Sequence, residues 1–182
     1  PAANWIVHAA AHTHLVPDSH ARDYVRANVT GTLRLADYAV GCGVRGIVFL
    51  STLSVYGDVP DGVLTETTPL HAPKLYGATK YLSELILQER AVSVPALTVR
   101  LPGVVGPGYF EPWMGRVLRN IQSGEPVPVT NADSPFNNVV DLEELARFTR
   151  HVIGREFVGY DMVNLAAAEP IALVDPGRQR RA

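Results

Sequence analysis

The chain has 182 residues, of which 47% are hydrophobic and 19% are charged, and its formal net charge is −2. Its length and composition predict one globular domain with a buried core, and its weak charge gives no reason to expect nucleic acid or an anionic membrane as a partner. No apolar stretch approaches the roughly 20 residues of a membrane span, and no signal peptide is visible.

The first predicted element is a strand at residues 5–10. Three histidines lie in it or shortly after it: His8, His12 and His14. A closed metal site would need matching carboxylate or thiolate ligands, and only Asp18 and His20 follow nearby. We therefore expect no metal and interpret the three histidines as loop residues.

An amphipathic helix is predicted over residues 21–40. Its apolar positions recur on one stripe at helical spacing: Val25, Val29, Leu33, Ala36 and Val40. Cys42 follows between two glycines, and we expect it to be a small apolar filler at the helix end. Because it is the only cysteine, an internal disulfide is excluded, which fits a reducing cytoplasm.

The apolar, β-branched run at residues 46–50 predicts a strand buried on both faces of a parallel sheet. Ser51 and Thr52 follow directly. Hydroxyl groups therefore lie at the carboxyl end of this strand, where open α/β sheets bind ligands.

Tyr76 opens the next predicted helix, in which Leu82, Leu85 and Ile86 recur at helical spacing. Tyr76 and Lys80 are four residues apart, so their side chains project from the same face. An ammonium beside a phenol favours the phenolate, and activity near neutral pH needs about 4 kcal/mol of such stabilisation. A tyrosine tuned in this way can exchange a proton with an alcohol or a carbonyl. The same spacing is also typical of an ordinary surface pair.

Further strands are predicted at residues 96–101 and 162–165. The alternation of strands and helices predicts an α/β fold with a parallel sheet and crossover helices. No Gly-x-Ser-x-Gly motif occurs, which disfavours a serine hydrolase.

Six segments of the chain resemble the extended short-chain dehydrogenase/reductase family, the NAD-dependent epimerase/dehydratase group that acts mostly on nucleotide sugars. They occur in the expected order and cover almost the whole chain: residues 6–11, 28–32, 50–57, 76–80, 100–108 and 139–142. The resemblance implies a doubly wound, Rossmann-like parallel sheet that binds NAD or NADP.

The resemblance also implies roles for individual residues. Tyr76 would be the general acid/base, Lys80 would tune it and hydrogen-bond the nicotinamide ribose, and Thr52 would hydrogen-bond the reacting oxygen. The residues that would contact or adjoin the cofactor are Ala9, Ala10, Ala11, Asn28, Tyr76, Lys80 and Pro102. Each has a structural alternative, such as helix–sheet packing for the alanines and a local strand-end hydrogen bond for Thr52.

The candidates for substrate binding are Thr52, Ser54, Gly103 and Arg116. Family dehydratases place Asp-Glu directly after the catalytic threonine, whereas this chain has Leu53 and Ser54, so a dehydratase is disfavoured. Many family members that act on nucleotide sugars carry an asparagine, as an anchor for the substrate, where this chain has Gly103. This difference weakens the expectation of a nucleotide-sugar substrate. Arg116, with Arg119 nearby, is suited to gripping a diphosphate or simply to covering a helix surface.

The Gly-rich turn by which the family holds the dinucleotide pyrophosphate is missing from the sequence. The strand at residues 5–10 corresponds to the family's fourth. We therefore expect an incomplete copy of a longer enzyme, either a fragment or a chain whose other half is supplied separately. Its partial doubly wound sheet would lack the first strands and leave an exposed apolar edge, and the C-terminal end of the family would be missing as well. Residues 1–182 would form one partial NAD(P)-binding domain, with 107–135 and 166–182 in its substrate-binding part. Alone, the chain should bind NAD weakly or not at all.

The expected function is an NAD(P)-dependent epimerase or reductase acting on a secondary alcohol or ketone of a nucleotide sugar. Two alternatives stay open: a catalytically idle remnant or interaction module, and a hydroxysteroid- or flavonol-type ketone reductase. The resemblance further suggests a homodimer through the helices at 21–40 and 76–91, in the cytoplasm.

Overall fold

A computed structural model describes residues 3–13, 15–59, 63–107, 109–110, 112–128 and 135–172. The chain divides into two compact units, the first formed by Pro1–Leu101 with Arg147–Leu165 and the second by Pro102–Ala146 with Ala166–Ala182. In chain order the elements are β1 (Trp5–His8), α1 (Ala21–Tyr24), a π-helical segment (Val25–Thr30), α2 (Gly31–Gly41), β2 (Gly46–Thr52), a 3₁₀ turn (Leu53–Tyr56), α3 (Leu75–Arg90), β3 (Ala96–Leu101), β4 (Gly103–Gly106), β5 (Tyr109–Phe110), α4 (Pro112–Ser123), β6 (Pro135–Phe136), β7 (Val139–Asp141), α5 (Leu142–Ile153), β8 (Tyr160–Asn164) and β9 (Ile171–Ala172).

The first unit is built on a four-stranded sheet in the order β1-β2-β3-β8. All neighbouring strands are parallel. Parallel strands require crossover connections, which α1 and α2 supply between β1 and β2 and α3 supplies between β2 and β3. The predicted α/β fold with a parallel sheet and crossover helices is confirmed.

Strand β2 lies in the interior because it is covered on both faces. Ile47, Val48 and Phe49 each expose 1% or less of their surface. Ile47 and Phe49 point to one face and join the core formed with α2 and α3, to which Ala36 and Leu87 contribute. The apolar run at residues 46–50 therefore behaves as predicted.

The helix predicted over residues 21–40 is not one regular α-helix, since the π-helical segment Val25–Thr30 interrupts it. The predicted apolar stripe is buried only in part, because Ala36 is buried whereas Val25, Leu33 and Val40 are exposed. The buried positions are Tyr24, Asn28, Thr32, Ala36 and Ala39. Small side chains and side chains with hydrogen-bond partners let this helix pack closely against α3. Because several of these residues are polar, an apolar pattern in the sequence does not identify the buried face.

The helix predicted to begin at residue 76 is confirmed as α3, although Leu82 and Leu85, from which it was predicted, are exposed. Its buried face carries Lys80, Ser83, Glu84 and Leu87. Two other expectations are wrong. Cys42 is exposed and is not a core filler. Strand β1 ends at His8, two residues earlier than predicted.

The second unit contains a three-stranded sheet in the order β5-β4-β7 and the short antiparallel pair of β6 and β9. Strand β4 is antiparallel to β5 and parallel to β7. Helix α4 also belongs to this unit. In the part of the chain that the structure describes, no helix is long and apolar enough to cross a membrane.

Candidate active site

The carboxyl end of β2 passes directly into the 3₁₀ turn Leu53–Tyr56, and Thr52 stands at the junction. The Thr52 hydroxyl accepts a hydrogen bond from the backbone N–H of Ser54 and donates one to the Ser54 hydroxyl, both at 3.1 Å. Thr52 is half-buried and Ser54 is exposed. The turn therefore presents two linked hydroxyl groups at the edge of the sheet.

Gly77 brings the first turn of α3 against this 3₁₀ turn. A Cβ atom at Gly77 would lie 2.1 Å from the carbonyl oxygen of Ser54, so only glycine permits the approach. Tyr76 is the preceding residue and is half-buried. The close approach accordingly brings Tyr76 to the carboxyl end of β2.

A cavity of about 420 Å³ opens beside this contact. Its lining residues are Tyr24, Ser54, Gly57, Asp58, Lys74, Leu75, Tyr76 and Gly77. It combines aromatic rings, a carboxylate, an ammonium and a hydroxyl, so it offers both donors and acceptors of hydrogen bonds. The described lining contains Tyr76 and Ser54, but neither Thr52 nor Lys80.

Lys80 is 1% exposed. Its Nζ donates a hydrogen bond of 2.7 Å to the carbonyl oxygen of Leu50 and lies 3.9 Å from the centre of the Phe49 ring. Burial lowers the pKa of Lys80 to about 7, against the opposing attraction of Glu84. One of its three N–H donors is thus committed to the end of β2.

His8 ends β1, the strand that pairs with β2. The centre of its ring is 5.1 Å from the centre of the Phe49 ring. Its Nε2 is 2.9 Å from the Thr32 hydroxyl, whose single proton goes to the carbonyl oxygen of Asn28. Nε2 therefore carries a proton and donates it. Burial, and then the charge of Lys80, lower the pKa of His8 to about 4, which leaves the ring neutral at pH 7.

Asn28 is 1% exposed in the middle of the π-helical segment. Its Oδ1 accepts a 2.7 Å hydrogen bond from the backbone N–H of His12, and its Nδ2 donates to the His12 carbonyl oxygen at 3.1 Å. Nδ2 also donates to the Thr79 hydroxyl at 3.1 Å. The buried asparagine side chain therefore connects the loop that follows β1 to α3.

Ala9, Ala10 and Ala11 follow the carboxyl end of β1. Ala9 and Ala10 are exposed and Ala11 is half-buried. Small side chains here leave the backbone open to a ligand. Pro102, Gly103 and Arg116 belong to the second unit, where Gly103 begins β4 and Arg116 and Arg119 are exposed on α4.

Two of the three histidines noted in the sequence, His8 and His12, lie within hydrogen-bond distance of hydroxyl groups. His8 bonds Thr32, and His12 Nε2 lies 2.8 Å from the Ser19 hydroxyl. His14 lies outside the described residues. Among the residues described, no group of three or more potential ligands is arranged to hold a metal ion.

Several polar residues near the site were not singled out from the sequence. Tyr24, Asp58 and Lys74 line the cavity with Tyr76, and Thr79 bonds Asn28. A buried ion pair joins Glu84 to Arg100 at 2.6 Å. Helical spacing offered the only signal, since Thr79 and Glu84 fall on the same face of α3 as Lys80 and Tyr76.

A model of the NAD dependent epimerase/dehydratase family matches residues 2–181 of the chain. UDP-glucose 4-epimerase of Vibrio cholerae is 30% identical over 150 residues, which are 75% of this chain and 45% of that protein. dTDP-glucose 4,6-dehydratase of Streptomyces griseus is 31% identical over 159 residues, which are 84% of this chain and 46% of that protein. The chain spans about half the length of these curated relatives.

The fold is also similar to solved structures. MoeE5, in complex with UDP-glucuronic acid and NAD, superposes with a TM-score of 0.78 at 25% sequence identity. The match covers 93% of this chain and 58% of that one. The similar structure is therefore longer, as the curated relatives are.

Proposed function

The chain belongs to the NAD-dependent epimerase/dehydratase family, and we propose that it carries the acid/base part of an active site that oxidises and reduces a secondary alcohol of a nucleotide sugar. One observation carries this proposal. Gly77 seats Tyr76 against the turn that follows Thr52, and Tyr76 and Ser54 line one cavity of about 420 Å³. Its size suits a sugar ring, and its polar groups suit sugar hydroxyls.

The residues present fit the nicotinamide end of NAD. Ala9 and Ala10 leave the backbone accessible at the carboxyl end of β1, and Lys80, when protonated, has two N–H groups besides the one that bonds Leu50. These residues would hold the nicotinamide ribose, with Asn28 ordering the loop that follows β1. The chemistry that NAD supplies when bound is reversible acceptance of a hydride.

The proposed mechanism assigns proton transfer to Tyr76. The phenolate oxygen of Tyr76 would take the proton of the substrate hydroxyl as the carbon is oxidised, and the phenol so formed would return that proton to the carbonyl oxygen on reduction. The Thr52 hydroxyl, now directed to Ser54, would turn to hydrogen-bond the reacting oxygen. Lys80, when protonated, would favour the phenolate of Tyr76.

Within the family we propose an epimerase or reductase in preference to a dehydratase. A dehydratase needs a group that protonates the departing hydroxyl, and neither Leu53 nor Ser54 carries a carboxyl group. The relatives named above include both an epimerase and a dehydratase, so the proposal rests on these two residues. Both relatives act, by name, on nucleotide-linked glucose, and a steroid or flavonol substrate is not proposed.

The test compares Tyr76→Phe with wild type in the protein at its natural length, supplied with NAD and with UDP- or dTDP-glucose. Product NMR distinguishes a 4-epimer from a 4-keto or 6-deoxy sugar. We expect the variant to lose at least about 100-fold in kcat, since general acid/base catalysis contributes that much or more. Tyr81→Phe on the same helix is the matched control. Turnover of Tyr76→Phe within a few-fold of wild type would remove Tyr76 from its proposed role, and a wild-type protein without turnover would leave the idle-remnant alternative.

A further inference from the structure

The buried amide of Asn28 connects two parts of the first unit that the proposed mechanism needs together. On one side it holds the backbone N–H and carbonyl of His12, in the loop that follows β1 and Ala9–Ala11. On the other side its Nδ2 donates to the Thr79 hydroxyl of α3. One amide thus contacts the proposed cofactor loop and the helix that carries Tyr76.

Thr79 continues this connection to Tyr76 itself. Its hydroxyl accepts from Asn28 Nδ2 at 3.1 Å and donates to the backbone carbonyl oxygen of Tyr76 at 2.9 Å. A threonine hydroxyl has one proton, so the order amide, hydroxyl, carbonyl is fixed. Thr79 is 5% exposed and Asn28 is 1% exposed, and such burial makes an unpaired donor costly.

A hydroxyl that bonds the carbonyl three residues earlier is common in helices and carries no function by itself. The bond from Asn28 distinguishes Thr79, because it comes from the same side-chain amide that holds the His12 backbone. Ser83 provides the contrast on the same buried face. Its single hydroxyl proton is shared between the backbone carbonyl oxygens of Asn28 and Thr79, both at 2.9 Å, so Ser83 contacts the Asn28 backbone and makes no hydrogen bond to the Asn28 side-chain amide.

We propose that Thr79 is a positioning residue, which fixes the first turn of α3, and hence Tyr76, relative to the loop that follows β1. The inference rests on the function proposed above. Loss of the hydroxyl would leave one N–H of Asn28 without its partner and free the Tyr76 turn from that loop. A displacement of about 1 Å between reacting groups lowers rates by about 100-fold, even when the altered residue does not touch the substrate.

The experiment compares Thr79→Val, Thr79→Ser and Ser83→Ala in the protein at its natural length. For Thr79→Val we expect kcat to fall by about 10- to 100-fold while KM for the nucleotide sugar changes by less than about threefold. Thr79→Ser keeps the hydroxyl and should remain within about threefold of wild type in kcat. Ser83→Ala loses a hydroxyl of similar burial and should also keep its kcat.

A second readout does not depend on turnover. The amide hydrogen of His12, which is bonded to Asn28 Oδ1, should exchange with solvent at least about tenfold faster in Thr79→Val than in Ser83→Ala. If Thr79→Val fails to fold, Thr79→Ala removes the same hydroxyl without adding a methyl group and takes its place in both measurements.

The outcomes separate the two proposals. If Thr79→Val keeps wild-type kcat while Tyr76→Phe loses it, the positioning role of Thr79 is wrong and the proposed function stands. A fall in kcat that Thr79→Ser does not rescue, or that Ser83→Ala shares, also overturns the positioning role. If Tyr76→Phe retains turnover, the proposed function fails, and the inference about Thr79 fails with it.

Discussion

The ammonium of Lys80 lies 3.9 Å from the centre of the Phe49 ring, in a place where the side chain is 1% exposed. The aromatic face and the Leu50 carbonyl oxygen offset part of the cost of removing a charge from water. They do not offset all of it, since the pKa of Lys80 falls to about 7. The residue proposed to tune Tyr76 therefore changes its own charge near neutral pH.

Lys80→Met should alter the pH dependence of stability. The pKa of Lys80 is about 7 in the folded chain and about 10.5 when unfolded, so between these values the unfolded chain binds the extra proton. Wild-type stability should thus rise from pH 7 to pH 10 relative to Lys80→Met, by an amount on the order of a few kcal/mol. Urea unfolding at pH 6, 8 and 10 measures the difference, with exposed Lys74→Met as the control. If the unfolding free energies of wild type and Lys80→Met changed in parallel with pH, the lowered pKa of Lys80 would be contradicted.

His8→Gln should flatten the acid limb of the stability profile. The pKa of His8 is about 4 in the folded chain against 6.5 when unfolded, so stability is lost as pH falls from about 6.5 to 4. That loss amounts to about 3 kcal/mol, and a glutamine, which can still donate to Thr32, should avoid it. Thermal or urea unfolding across this range tests the prediction. His151→Gln, an exposed histidine on α5, should follow wild type.

Glu84→Ala should destabilise the fold strongly. Glu84 receives hydrogen bonds from Ser51 and from Nε and Nη2 of Arg100, and both charged side chains are at most 4% exposed. Removing the carboxylate leaves a buried guanidinium unpaired, at a cost of about 3–5 kcal/mol. Asp37→Ala breaks the exposed pair with Arg90 and should cost less than about 1 kcal/mol. Equal losses in urea unfolding would show that burial of the Glu84 pair does not matter.

Gly77→Ala should reduce both stability and turnover. The added Cβ meets the backbone carbonyl of Ser54 at 2.1 Å, and because backbone cannot move aside cheaply, α3 must shift. We expect a loss of about 1–3 kcal/mol in unfolding free energy and a lower kcat through displacement of Tyr76. Gly41→Ala, where nothing lies within 4 Å, is the matched control and should be neutral or slightly stabilising. If Gly77→Ala kept the wild-type kcat, the close contact between Gly77 and Ser54 would not be required for turnover.

The sequence predicted the sheet far better than it predicted the helix faces. The run at residues 46–50 identifies β2 because a strand buried on both faces needs only apolar residues. The helices were harder, because their buried faces carry Asn28, Lys80 and Glu84, each held by a partner distant in sequence. Exposed Val25 and Leu82 fit the apolar pattern as well as buried Ala36 does, so hydrophobic periodicity alone did not identify the buried faces of the helices.

The candidate site was predictable in its residue types and not in its contacts. The four-residue spacing of Tyr76 and Lys80 predicts that both lie on one face of the helix. The hydrogen bond from Lys80 to Leu50 and the cavity lined by Asp58 depend on how closely α3 approaches β2, which the spacing does not report. Gly77 sets that approach, and a glycine within a helix does not disclose which backbone it will meet. The catalytic roles of these residues remain predictions for the experiments above.

The π-helical segment Val25–Thr30 determines which side chains before it share a face with those after it. A π turn accommodates one residue more than an α turn. If the same six residues wound into an ordinary α-helix, everything before the segment would rotate by about 100° around the helix axis relative to everything after it. Tyr24 would then turn away from the side on which Thr32 and Ala36 are buried, so the wide turn keeps this wall of the cavity aligned with the packed face of α2.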